Sequence, residues 1–388
     1  MAAYQFFKAS QGHKNVEAST FLATHGQVAT GSIRLRRKDE YLWEQTTHGS
    51  FQFQAANRHA MLTGFRDLVE HLRPTVVFMH HYTTIGLESI RVLRDVNPDV
   101  RIVMTLHEML AICNNNGQMV KTGSLRLCSR ETPEECHGCF PNITPDSFWL
   151  RKRFIKSYFD LIDHFVAPSE FLRSRYIEWG LPADRVTMIE NGQAYPEKAP
   201  PRPLKSGEGR TRFAFFGQLN PYKGIDVLLS AAAALSEQAK SEITIEIHGA
   251  NLEHQDPKFR ERLEGLLAPL EAEGVVRFVG PYMREDLPRR MARTDWVLVP
   301  SIWWENSPMV IQEAFTYGRP VICSNIGGMA EKVRHGVDGW HVEARSVRDW
   351  ADALENLAAD KKCWEQLYNG IRPPLTYIEC LDAHLALL

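Results

Sequence analysis

The densest chemistry in the chain lies in the stretch 297–318, VLVPSIWWENSPMVIQEAFTYG. An apolar run ends at Pro300 and a polar turn follows. Pro308 stands where a helix would open, a position that suits proline because its missing N–H is not needed there. The spacing predicts a helix over 308–317, with its first N–H groups at the C-terminal edge of a sheet. That arrangement is a ready site for a pyrophosphate. Two carboxylates, Glu305 and Glu313, bracket the turn. At about 1.5 Å of rise per residue, Glu313 would lie about a turn and a half into the helix. The two could then address different parts of one extended ligand. A capped helix with one solvated and one buried glutamate would carry the same local signature.

Other residues could also do chemistry. His107 ends the run RIVMTLH and opens the turn HEML, beside Glu108. A lone histidine at such an edge is more often a satisfied structural group, yet it could also bond a ligand. Ser169, in VAPSEFLRSRY, stands at another strand end, where it could line a site, and Asn191-Gly192 reads as a turn into a linker. Gly327-Gly328, in SNIGGMAE, would let the backbone approach a ligand closely, or form an ordinary strand-to-helix turn. Cys113, Cys128, Cys136 and Cys139 cluster, the last two as C-x2-C. They fit a structural zinc site or four reduced thiols. Cys323, Cys363 and Cys380 lie in core-like patterns. Residues 147–158, SFWLRKRFIKSY, set Arg151, Lys152, Arg153 and Lys156 among aromatic and aliphatic side chains. Such a helix either rests on an anionic membrane surface or packs on a sheet with a solvated basic face.

The elements that must position these groups alternate. Strands are predicted at 75–80, 101–107, 164–168 and 186–190, and again at 212–217, 243–248, 276–280, 296–300, 320–324 and 340–342. Helical patterns fill the second half at 224–238, 258–272, 285–293, 308–317, 329–335 and 347–359. Continuous apolar strands separated by helices imply an α/β protein whose parallel sheets are covered on both faces. The Pro-, Gly- and charge-rich stretch 193–211 reads as the linker between two doubly wound domains. Residues 1–60 offer no convincing buried strand, so the first unit is expected to be irregular or incomplete there.

Composition bounds the function. The 388 residues carry 45 Lys+Arg against 47 Asp+Glu, a formal net charge of −2, which argues against a dedicated nucleic-acid binder. At about 150 residues per domain the length suits two to three domains. No apolar run reaches the roughly 18 residues a membrane span needs. The first residues lack the pattern of a signal peptide, and seven cysteines without one point to reduced thiols. The expectation is a cytoplasmic protein.

Seven residues separate Glu305 from Glu313, and ENSPMVIQEAFTYGRPVICSNIGGMAE resembles the family 4 retaining glycosyltransferases of the GT-B fold in near-continuous form. FFGQLNPYKGIDVLL at 215–229, HGANLE at 248–253 and FVGPYMREDLPRRM at 278–291 are similar to the same family in order and spacing. The resemblance covers about 160–340 most closely, weakens over 75–160 and is missing over 1–60. It implies two Rossmann-like domains facing a central cleft. An acceptor-side domain would cover 1–200 and a donor-binding domain 201–370, with 371–388 returning to the first.

By position, the resemblance implies that Glu313 holds the ribose of a nucleotide-sugar and that Glu305 contacts the donor sugar. Backbone groups around Asn306, Ser307, Pro308 and Met309 would face the sugar or the diphosphate. Gly327 and Gly328 would turn near the donor, and His107 would bond the sugar. Lys223 matches the family's diphosphate lysine. Its usual arginine partner is here Gln218, which can bond a phosphate but not offset its charge. The implied activity is retaining, metal-independent transfer from a nucleotide-diphosphate sugar to a glycan or lipid-linked saccharide in surface polysaccharide or glycoconjugate synthesis. No cofactor is needed, and peripheral membrane contact is expected. Other outcomes for the same fold are a nucleotide-sugar epimerase, a phosphorylase or a non-catalytic nucleotide-sugar-binding protein.

Overall fold

A computed structural model describes residues 2–26, 28–194 and 198–388. It separates into two compact units, residues 1–192 with 375–388, and residues 193–374.

In the second unit, six parallel strands order as Val276–Phe278, Thr244–Ala250, Arg212–Gln218, Trp296–Val299, Val321–Ser324 and Gly339–Val342. Counted within the unit this is 3-2-1-4-5-6, the doubly wound order. Its direction reverses between Arg212–Gln218 and Trp296–Val299, and ligands of such sheets bind outside the C-terminal strand ends at that reversal. The apolar run RFAFFG explains the two covers. Phe213 and Phe215 point into a core with Trp296, Leu298 and the helices Ile225–Ala233 and Val347–Ala359. Ala214 and Phe216 point the other way, into a core with Val297, Ile311 and Met329. Alternation along a strand buried on both faces leaves no polar position to interrupt the pattern.

The first unit holds a four-stranded parallel sheet in simple chain order: Val76–Met79, Arg101–Thr105, His164–Ala167 and Val186–Met188. Residues 1–60 do not add an opening strand to it. They form a helix, Ala2–Ser10, and a separate three-stranded sheet of Phe21–His25, Glu40–Glu44 and Ile33–Arg37, whose mostly half-buried or exposed positions hide it from a search for buried runs. The helix Tyr377–Leu385 also belongs to this unit.

Two expectations change at the boundaries. The helical pattern at 224–238 is broken, because Ser236 caps a new helix, Glu237–Glu242, by accepting from the Ala239 N–H. The stretch 193–211, read as a linker, partly lies outside the described residues (195–197), and its remainder is anchored in the second unit. Arg202 Nη2 and Arg210 Nη1 reach the fully buried carboxylate of Asp295 at 2.8 and 3.2 Å.

Candidate functional site

The loops that leave the sheet reversal of the second unit bring Lys223 and Glu305 together. After Gln218, Asn220 folds the chain back by accepting from the N–H groups of Tyr222 and Lys223 at 3.0 and 3.2 Å. Gly224 follows at φ 66°, and a Cβ there would stand 2.0 Å from the Pro300 carbonyl. Glycine is therefore what lets this turn press against the neighbouring loop. From that loop, Glu305 Oε1 accepts from Lys223 Nζ at 2.6 Å, Ser301 Oγ at 2.7 Å and Trp303 Nε1 at 2.9 Å. Burial alone would raise the Glu305 carboxyl, but Lys223 and these donors outweigh it and hold it below the ordinary value. Ser301 and Trp303 carried no signal in sequence reasoning. They flank the glutamate only because the loop doubles back.

The helix begins at Met309, with Pro308 as the preceding cap residue, one position later than the sequence suggests. Its opening N–H groups, Met309 and Val310, have no earlier turn to bond. Ser307 Oγ is buried with no hydrogen-bond partner among the described residues. Glu313 sits on this helix, and no carboxylate partner is found for it among the described residues. Burial pushes it up to about 7, only partly offset by Arg284. Tyr282, from the segment after Val276–Phe278, is pushed up to about 12 by burial and by Glu313. Tyr282 and Arg284 thus join the surroundings of Glu313, though neither stood out in the sequence. Gln218 ends its strand exposed.

The glycine pair packs against the loop that carries Glu305. Gly328 N–H donates to Glu305 O at 2.8 Å, and a Cβ on Gly328 would lie 1.6 Å from Asn306 O. The close approach these glycines permit is to the backbone of the Glu305 loop. They build the loop that carries the carboxylate.

In the first unit, His107 follows the strand Arg101–Thr105 and its ring lies close to two other histidines. His80 Nδ1 is 3.1 Å from His107 Nε2, and the His81 ring centroid is 5.1 Å away. Burial and His81 push the His107 imidazole down to about 3. Glu108 faces the exposed His81 at 3.6 Å. Ser169 is fully buried and caps the helix Glu170–Trp179 by accepting from Leu172 N–H, which corrects its reading as a site-lining residue.

The sequence leaves the cysteine group open between a structural zinc site and reduced thiols. Cys113, Cys128, Cys136 and Cys139 are partly buried and form no disulfide, and no group of three or more His, Cys, Asp or Glu among the described residues is placed to hold an ion. Burial and Glu131 push the Cys136 thiol up to about 12. The basic helix also changes. Arg151 turns inward, 3% exposed, and donates to the carbonyls of Phe51, Leu110 and Ala111 at 2.6 to 2.7 Å. Lys152 bonds Glu131, and Lys156 bonds the Gly180 carbonyl. Trp149, Leu150 and Arg153 stay exposed. No helix among the described residues is long and apolar enough to cross a membrane.

Residues 198–372 match the family Glycosyl transferases group 1, and residues 36–193 match Glycosyltransferase Family 4. A D-inositol 3-phosphate glycosyltransferase of Nocardioides is 36% identical over 169 residues, 40% of this chain and 36% of that protein. One from Salinispora arenicola is 31% identical over 216 residues, 55% of this chain and 47% of that protein. The chain thus spans about a third to a half of the length of these curated relatives. Among solved structures, Anabaena HepE in complex with UDP superposes with a TM-score of 0.62 at 18% identity, over 84% of this chain and 82% of that one. A Rickettsia africae glycosyltransferase superposes with a TM-score of 0.65 at 16% identity, over 100% and 93%. These neighbours share the GT-B fold. Matched in both halves and built on that fold, the chain belongs to the family 4, group 1 glycosyltransferases.

Proposed function

We propose that the protein transfers a sugar, with retention, from a nucleotide-diphosphate sugar to a glycan or lipid-linked saccharide. The observation that carries this reading is the convergence of Lys223, Glu305 and the opening of the helix Met309–Thr316 at the sheet reversal of the second unit. Breaking a sugar–phosphate bond builds negative charge on the leaving diphosphate and positive character at the anomeric carbon. A fixed cation and unpaired N–H groups stabilise the first without a divalent ion. In this reading Lys223 and the helix N–H groups hold the diphosphate, helped by Gln218. Ser307 Oγ supplies a buried polar atom still in need of a partner. Glu313 binds the ribose hydroxyls, Glu305 the donor sugar, and His107 is given a hydrogen bond to the sugar.

Support for the donor class comes from the family and from the solved neighbour described with UDP. Family membership supports retention, which we read as same-face attack with the leaving phosphate as base. The lipid-facing part of the proposal rests on the exposed Trp149, Leu150 and Arg153. The test is thermal shift with UDP, GDP, ADP and their sugar conjugates, with and without EDTA, on wild type and Glu313→Ala. One nucleotide class should raise the melting temperature of wild type alone, unaffected by EDTA. Transfer assays with that class should then give a product of unchanged anomeric configuration. No shift with any nucleotide, or an inverted product, would overturn the reading.

A further inference from the structure

The imidazole of His107 is met by a second one at the same sheet edge. Val76–Met79 and Arg101–Thr105 pair in parallel with Met79 opposite Met104, so the residues just after each strand emerge side by side. His80 Nδ1 reaches His107 Nε2 at 3.1 Å, with ring centroids 5.3 Å apart and planes 21° apart. Those values describe two rings meeting edge to edge along the N···N line, as an in-plane hydrogen bond requires.

Phe6 packs on His80 and also meets a histidine of the C-terminal helix. Phe6, on the helix Ala2–Ser10, contacts Phe78, His80 and His384 at centroid separations of 5.1, 5.4 and 4.9 Å. His384, on the helix Tyr377–Leu385, is 2% exposed, and its Nδ1 lies 2.7 Å from the Cys380 carbonyl. Only an N–H can donate there, so His384 Nε2 is an acceptor, facing Thr105 Oγ1 at 3.4 Å.

The proton positions follow from what His80 leaves unpaired. His80 Nε2 is buried with no partner among the described residues. Burial, with the facing His107 and His384, holds the His80 imidazole well below its ordinary value, so it carries one proton. A proton on Nε2 would be a buried donor without an acceptor, the rarer and costlier defect. A proton on Nδ1 donates to His107 Nε2 and leaves only an unpaired acceptor. His107 then carries its own proton on Nδ1.

We propose that His80 is a positioning residue whose Nδ1–H fixes the tautomer and ring plane of His107. The consequence for catalysis rests on the reading of His107 given above, through which His80 acts. The test is a long-range 1H–15N spectrum of the histidine side chains of the full chain, with His107 assigned from the peaks that His107→Phe removes. Wild type should show His107 as a single Nδ1–H tautomer. His80→Phe keeps an aromatic ring without a nitrogen and should average the two tautomers. His80→Asn can place an amide N–H where Nδ1 stood and should restore the single form, whereas His80→Gln, whose amide matches the Nε2 position, should not. In transfer assays His80→Phe should lower kcat about tenfold, the scale of one hydrogen bond, with little change in donor KM, and Asn should recover most of it. A His107 signal unchanged in His80→Phe, or Asn and Gln behaving alike, would overturn the proposal. An unchanged kcat in His107→Phe would instead overturn the role given to His107 and leave the tautomer result standing.

Discussion

Lys223 Nζ donates to Glu305 Oε1 across 2.6 Å, so the cation and the carboxylate of the site neutralise each other. Glu305 is 6% exposed, while Lys223 keeps part of its side chain in water. Removing the lysine alone would leave a buried charge uncompensated. Lys223→Met should therefore destabilise the second unit by about 3 kcal/mol, and Lys223→Met with Glu305→Gln should regain most of that loss. Denaturant unfolding of the two single variants and the double variant measures the coupling.

The same pair sets an acid limit. The Glu305 carboxyl is held below its ordinary value of 4.5 in the folded chain, so its contribution is complete above 4.5 and is lost as pH falls through the lower folded value. Wild type should lose stability more steeply below pH 4.5 than Glu305→Gln does. Melting curves from pH 3 to 6 test this, and parallel curves would contradict it.

Glu313 runs the other way. Burial raises its folded value to about 7, so stability falls as pH rises from 4.5 to about 7 and is flat above. Glu313→Gln should remove that decline. A carboxylate accepts from two ribose hydroxyls better than a neutral acid, so nucleotide affinity should tighten with pH up to about 7 in wild type. The variant should bind about tenfold more weakly, the scale of a hydrogen bond to a charged group, and without that slope. Calorimetric titration across pH 5.5 to 8.5 reads both effects.

Gln218 is exposed at the strand end where the family pattern places an arginine. Gln218→Arg should tighten binding of a nucleoside diphosphate up to about tenfold at low salt, with the gain shrinking as ionic strength rises. Equal affinity at all salt concentrations would place the diphosphate away from this residue.

Two glycines should respond in opposite ways. A Cβ on Gly328 would lie 1.6 Å from the Asn306 carbonyl oxygen, so Gly328→Ala must displace the Glu305 loop. It should lower both the melting temperature and nucleotide affinity. Gly265 lies within the helix Pro257–Ala272 with open space around it. Gly265→Ala should raise stability by about 0.5 to 1 kcal/mol and leave nucleotide affinity unchanged.

The sequence by itself determined the second unit. Strands such as RFAFFG and WVLVP are buried on both faces, so hydrophobicity marks them without interruption, and the E-x7-E spacing follows from a strand, a turn and a helix that are contiguous in the chain. Ser169 shows where local reading stopped: its place at a strand end is the same for a helix cap and a ligand contact, and only the Leu172 N–H decides between them. Tertiary structure alone decided the pairings between distant residues. Glu305 with Lys223, Arg202 with Asp295, and Arg151 with the carbonyls of Phe51, Leu110 and Ala111 bring together groups from different loops and elements. His80 had no signal of its own, because a histidine ending an apolar run becomes a partner for His107 only when two parallel strands set their ends in register. Periodicity reports which face of an element is buried, and it carries no information about which polar group another loop will deliver to that face.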